Sequence, residues 1–207
     1  MKPGPGRPRS VECDRAIHDA ALTEYADRGF DGMSVDAVAA RAGVSKATIY
    51  RRYPSKVELV ISAAYVVAEE LAPKPDTGSL RGDLTAAATS LGRLMNHSVL
   101  GRTMRQVVAD AGRHPDLAEM HEEFVRTRRQ GTFAAFDRAI ARGELPADVD
   151  QELAADLLAG PLFYRHMVRR LPVDDAYAEQ VVDAFLGNRF WSRVCVPDNT
   201  YARPEAD

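Results

Sequence analysis

The chain has 207 residues, 45% of them hydrophobic and 7% aromatic, with 27 Lys and Arg against 30 Asp and Glu for a formal net charge of −3. That length allows one medium domain or a small head joined to a larger body. No apolar run approaches the roughly 20 residues needed to cross a bilayer, and the N-terminus lacks an apolar signal-peptide core. Cys13 and Cys195 lie far apart and outside any CxxC pair, which points to neither a metal site nor a disulfide and fits a reducing cytoplasm.

Charge is unevenly distributed. Residues 1–56 carry ten Lys and Arg and seven Asp and Glu, whereas residues 57–207 carry seventeen and twenty-three. The N-terminal segment is mildly basic and the rest acidic, a balance that favours nucleic acid at one end. Lys2-Pro3-Gly4-Pro5-Gly6-Arg7-Pro8-Arg9 has nothing to pack and reads as a flexible basic arm over residues 1–9. Arg7 and Arg9 suit a minor groove, whose narrow A·T stretches attract arginine; an ordinary mobile tail is the other reading. A first helix runs from about Ser10 to Gly29 with Cys13, Ile17, Ala20, Ala21 and Tyr25 as its apolar stripe, so Cys13 reads as core.

Between residues 30 and 56 two short helices are predicted, each with its own start and stop. Ser34 is an N-cap, able to accept from the open amides of the helix it begins. Val35, Val38, Ala39 and Ala42 fall on one face, and Gly43 stands where a left-handed residue ends a helix. Ser45 caps a second helix, Lys46 to about Arg52, with Ile49 inward and Lys46, Ala47, Thr48 and Tyr50 near the surface. Pro54 closes it, because the residue before proline avoids the helical region. Ser55-Lys56-Val57-Glu58 is a capping box that opens a fourth helix at once. Two helices about a glycine turn make a helix-turn-helix, which lays its second helix in the major groove of DNA. Lys46 suits guanine acceptors, and Ala47 or Thr48 a thymine methyl. Thr48, Tyr50, Tyr53 and Lys56 suit phosphates, and the helix starts at Ser34 and Ser55 add amides for phosphate oxygens. Arg51 and Arg52 fit either task. Taken singly, Ser34 and Ser45 read equally well as plain caps and the two arginines as a solvated face; the arrangement as a whole points to DNA.

Ala16-Ile17-His18-Asp19-Ala20-Ala21 through Gly29-Phe30, Ser34-Val35-Asp36, Gly43-Val44-Ser45-Lys46-Ala47-Thr48-Ile49-Tyr50 and Tyr53-Pro54-Ser55-Lys56 together resemble the TetR family of bacterial transcriptional regulators, over about residues 12 to 62. The resemblance implies a three-helix DNA-binding head followed by an all-helical ligand-binding and dimerisation domain. It implies that Lys46, Ala47, Thr48, Tyr50 and Arg51 fall on the recognition helix, and that Lys56 is the phosphate-contacting lysine at the start of the fourth helix. It also implies that the last two helices pair with those of a second subunit. Arg51-Arg52 departs from the family, many of whose members carry an aromatic residue and a histidine there.

The fourth helix, Lys56 to about Leu71, carries Leu59, Val60, Ala63, Ala64 and Val67, and Pro73-Lys74-Pro75-Asp76-Thr77-Gly78 breaks its pattern. Only helices are predicted beyond it. Leu80, Leu84, Ala87, Leu91, Leu94 and Met95 form one stripe; Met104, Val107, Val108 and Ala111 follow Gly101 in a segment ending at His114-Pro115. A long helix runs from Pro115 to about Arg142, stopped by Gly143. Another runs from about Asp150 to Arg170 with Gly160-Pro161 inside it, and a last one from about Asp174 to Trp191. The expected fold class is all-α with about nine helices. Its expected organisation is an arm over 1–9, a DNA-binding domain over 10–56, a connecting helix over 57–72, a ligand-binding and dimerisation domain over 73–195 and a tail over 196–207.

Proline at 161 should bend its helix and open room beside it. Met95, Met104, Arg105, Val108, Phe124, Arg128, Phe163, Tyr164 and His166 offer the largely apolar mixture, with a few polar groups, that small-molecule sites use; plain core packing is the other reading of each. Ala154, Leu157, Leu158, Pro161 and Leu162, with Ala178, Val181, Val182, Phe185 and Leu186, are more apolar than one exposed face requires, which suits a homodimer; burial in the monomer's own core is the other reading. No HExxH, GxSxG, Walker loop or Cys–His cluster occurs, so no catalytic residue, cofactor or metal ligand is expected. The expected protein is a dimeric cytoplasmic regulator, a repressor released from a pseudo-palindromic operator in double-stranded DNA by a small, partly apolar ligand. The alternatives are a non-inducible architectural DNA-binding protein and a helical enzyme.

Overall fold

A computed structural model describes residues 9–71 and 75–187, and all their regular elements are helices. In chain order they are α1 (Arg9–Gly32), α2 (Val35–Ala42), α3 (Lys46–Tyr50), α4 (Lys56–Leu71), α5 (Leu80–Asn96), α6 (Leu100–Ala111), α7 (Pro115–Ala141), α8 (Gln151–Phe163) and α9 (Asp175–Gly187), with a π turn over Tyr164–Val168 directly after α8. Arg7, Trp191 and Cys195 lie outside the described residues. No described helix is long and apolar enough to cross a membrane.

The chain divides into two compact units. One holds α1 to α4 together with residues 93–128; the other holds the start of α5 together with the described chain from Arg129 onward. The physical cause of this grouping is α1, which packs on α6 as well as on α2 and α4. Ile17, Ala21 and Tyr25 of α1 are wholly enclosed. They share one core with Val38 of α2, Ile49 of α3, Leu59 and Val60 of α4, Val107 of α6 and Leu117 of α7. Each such large side chain contributes about 1.5–3 kcal/mol by leaving water, so this core sets the position of the two short helices. Cys13 packs at its margin, as expected of a core cysteine.

α1 keeps helical pairing to Gly32, three residues past the expected stop, yet changes direction at Gly29, where φ is 69° and ψ −179°. A side chain is strained at such a φ, and a Cβ there would sit 2.9 Å from Gln106 Nε2. The redirected chain brings the Phe30 amide to Asp110 of α6, whose carboxylate accepts from it at 2.9 Å and from the Tyr25 hydroxyl at 3.1 Å. Arg113 Nη2 donates to the same carboxylate at 2.6 Å. Burial opposes charge on Asp110, but the hydrogen bonds from Phe30, Gln106 and Tyr25 and the charge of Arg113 outweigh it and hold its carboxyl below the usual value.

The other unit has its own buried acid. Asp83 of α5 is fully buried and accepts from the Thr77 amide at 2.6 Å, the Thr77 hydroxyl at 2.8 Å and Arg138 Nη2 at 2.9 Å. These bonds close the start of α5 onto α7. α7 ends as expected at Gly143, which takes φ 74°. The helix expected over 150–170 differs from the structure in where it departs from regularity. α-Helical pairing runs through Pro161 to Phe163, and the change comes at the π turn, where the Arg169 amide reaches Tyr164 O at 3.1 Å. Pro161 stands on the exposed side of α8, so the carbonyl it leaves without a helical donor can bond water instead of forcing a break.

Candidate DNA-binding interface

Ser34 adopts an extended conformation (φ −123°, ψ 140°) and its Oγ accepts from the Ala37 amide at 3.1 Å. Gly43 takes the left-handed φ of 66°, and the Val44 amide closes on Ala39 O at 3.0 Å. Ser45 then caps α3, accepting from the Thr48 amide at 3.2 Å, and its Oγ lies 2.9 Å from Thr48 Oγ1. Each cap contributes about 0.5–2 kcal/mol, enough to define a five-residue helix that propensity alone would not hold. Ile49 is 1% exposed and anchors α3 to the core. Lys46, Ala47, Tyr50 and Arg51 are exposed and Thr48 is half-buried, so the outer face of α3 is the one the sequence named. α3 stops at Tyr50, two residues short of the expected end, because Arg52 N tightens onto Ile49 O at 2.9 Å.

Behind that face several predicted contacts have partners inside the fold. Tyr53 shares a hydrogen bond of 2.7 Å with His18 Nε2 of α1, and the two rings meet edge-on. Burial lowers the His18 pKa against the opposing effect of Asp19. Lys56 Nζ donates to Phe30 O at 2.8 Å and Met33 O at 3.3 Å, and stands 4.6 Å from the Phe30 ring centroid. It therefore ties the end of α1 to the start of α4. Ser55 Oγ accepts from the Glu58 amide at 3.1 Å, the forward half of the capping box. Arg52 pairs with Asp14 of α1, which leaves Arg51 as the exposed member of the arginine pair. Arg9 is the first residue of α1, so the expected arm gives way to helix one residue early.

The sequence missed one partner on the exposed face. Lys46 Nζ donates to Asp36 Oδ2 at 2.8 Å and lies 6.0 Å from the Tyr50 ring centroid. The hydrogen bond and charge of Asp36 raise the Lys46 pKa. The only signal for it was an acid in the first turn of α2, ten residues upstream.

Of the residues named for a ligand, Met95, Met104, Arg105, Val108, Phe124 and Arg128 belong to the first unit and Phe163, Tyr164 and His166 to the second. Met95 and Phe124 are buried, the latter edge-on to Tyr65 at 4.8 Å. Arg128 Nη1 pairs with Glu69 of α4 at 3.0 Å. Val108 is 50% and Tyr164 58% exposed, so neither is enclosed. For Val108 the reason is register: Thr103, Val107 and Asp110 mark the buried face of α6, and the next residue along turns outward. The residues named for a dimer are largely core of their own unit, with Ala154, Leu158, Leu162, Val181 and Val182 buried and Phe185 half-buried. Outside that core, α8 and the π turn expose Leu153, Leu157, Pro161, Tyr164 and Val168, spaced three or four apart along one face.

A capped recognition helix anchored by one buried isoleucine, with a lysine, a small residue and a tyrosine outward, defines a helix-turn-helix DNA-binding protein. Residues 17–63 match the model for bacterial regulatory proteins of the tetR family, and residues 74–185 that for the tetracyclin repressor-like C-terminal domain. An uncharacterized HTH-type transcriptional regulator of Bacillus subtilis, YdeS, is 35% identical over 88% of this chain and 92% of its own. The DNA-binding transcriptional repressor TetR of Mycobacteroides abscessus is 34% identical over 83% of this chain and 90% of its own. The crystal structure of the TetR family transcription regulator SCO0332 superposes with a TM-score of 0.68 at 28% identity, covering 85% of this chain and 97% of that one. The chain belongs to the TetR family of bacterial transcriptional regulators.

Proposed function

We propose that this regulator is a homodimeric cytoplasmic repressor that binds a two-half-site operator through α3 and leaves it when a small, partly apolar molecule binds the helical body. The observation that carries the reading is the outer face of α3, Lys46, Ala47, Tyr50 and Arg51, exposed beside a turn whose two caps fix its direction. Lys46 faces base edges. Tyr50 and Arg51 are suited to phosphates. The named repressor among its relatives supports the sign of regulation.

The dimer reading narrows to the exposed stripe Leu153, Leu157, Pro161, Tyr164 and Val168, of which Leu157 and Pro161 belong to the face read from the sequence. An apolar stripe of this spacing is what two helices need to pack on each other, and a dyad pair of heads matches half-sites about 34–36 Å apart. The body residues 73–195 hold the ligand in this reading. Their matched C-terminal family model supports it. Fluorescence anisotropy with a labelled operator duplex and a scrambled one tests the proposal. Tight, salt-dependent binding to the first alone, reversed by a small molecule that raises the melting temperature, is the expected result. Equal binding to both duplexes would contradict it.

A further inference from the structure

We propose that Asp36 and Lys46 act as one reader of a single G·C base pair, Lys46 donating to the guanine and Asp36 accepting from the cytosine amino group. The inference rests on the reading that α3 enters the major groove with Lys46 toward base edges. Asp36 is the second residue of α2 and Lys46 the first of α3, and the turn through Gly43 and Ser45 folds them together so that Oδ2 and Nζ lie 2.8 Å apart.

Folding gains little from this pair. Their side chains are 72% and 48% exposed, where an ion pair contributes little to stability. α2 does not need Asp36 as its cap, because Ser34 Oγ already accepts from the Ala37 amide. An acid on a DNA-facing surface is unfavourable near phosphates, and placing an ammonium against it removes that cost. The chemistry of the two groups then becomes useful. An ammonium has three donors and a carboxylate about four acceptor positions, so after bonding to each other both retain capacity. A G·C pair displays guanine N7 and O6 as acceptors and cytosine N4–H as a donor in the major groove, and lysine with guanine and aspartate with cytosine are the matching partners. A lysine–aspartate pair in contact presents a donor beside an acceptor, which fits that pattern across one base pair.

The test uses the full-length protein and an operator selected from random duplexes. Lys46→Ala first identifies the base pair at which it relaxes preference. Asp36→Ala and Asp36→Asn are then compared with the parent on the same operator, with thermal unfolding confirming that each variant keeps its fold. In parallel, N4-methylcytosine at that base pair blocks the groove-facing amino hydrogen. The expected result is that both Asp36 variants relax preference at the same base pair as Lys46→Ala. N4-methylcytosine should weaken the parent about tenfold or more and leave Asp36→Ala nearly unaffected. Uniformly tighter binding of Asp36→Ala to every duplex, with base preferences unchanged, would overturn the proposal and leave Asp36 as a mere repeller of phosphate. A preference for A·T at that position would also overturn it. Unchanged preferences in Lys46→Ala, from a parent that is selective, would instead show that the underlying reading of α3 fails.

Discussion

Lys56 holds the carbonyls of Phe30 and Met33 and the face of the Phe30 ring, so its first effect is on folding. Lys56→Ala is expected to lower the unfolding free energy by about 1.5–3 kcal/mol, the range for a hydrogen bond to a charged group. Urea denaturation reads this directly, and a variant as stable as the parent would return Lys56 to the phosphate role alone. His18 gives a pH dependence. Burial lowers its folded pKa from 6.5, so the unfolded chain binds the proton first as pH falls. Its stabilisation is complete above pH 6.5 and is lost below it, down through the folded pKa. His121 is lowered by burial in the same sense. His18→Gln should therefore flatten the fall in stability between about pH 7 and pH 5 without abolishing it. An equal fall in unfolding free energy between those pH values in His18→Gln and the parent would remove His18 as a contributor.

At the scale of elements, what was legible in the sequence was local. Ser34, Gly43, Ser45 and Ile49 specify α2, the turn and α3 within a few residues of themselves, and the structure places all four in those roles. What was not legible depends on partners distant in the chain. Tyr53 meets a histidine 35 residues upstream, and Lys56 meets carbonyls 23 and 26 residues before it. No spacing rule connects such pairs; the packing of α1 does. The same holds for Val108, whose apolar character looked like lining until the buried face of α6 fixed its direction. Asp110 is the clearest case, an acid in an apolar segment that sequence reading passed over and that joins α6 to both Tyr25 and the Phe30 amide. Asp110→Ala leaves the Tyr25 hydroxyl and the Phe30 amide without their acceptor and should cost about 2–6 kcal/mol, taking 1–3 for each group. A thermal midpoint within a degree of the parent would contradict that role.

The whole molecule combines a mildly basic N-terminal segment with an acidic remainder, so operator binding should weaken steeply as salt rises. Dimerisation belongs to this scale too. Leu157→Glu adds a charge to the exposed stripe without touching the buried core of α8, and is expected to yield a folded monomer in sedimentation that binds a full operator no better than a half-site. A folded, dimeric Leu157→Glu would move the interface elsewhere. The central claim is that α3 reads DNA sequence as one of a pair, and selection of bound duplexes from a random-sequence pool tests it most directly. The account predicts enrichment of two inverted half-sites with centres about 10 base pairs or a multiple apart, bound at least about a thousandfold more tightly than random duplex. A pool that stays random while the protein still binds it would contradict the claim.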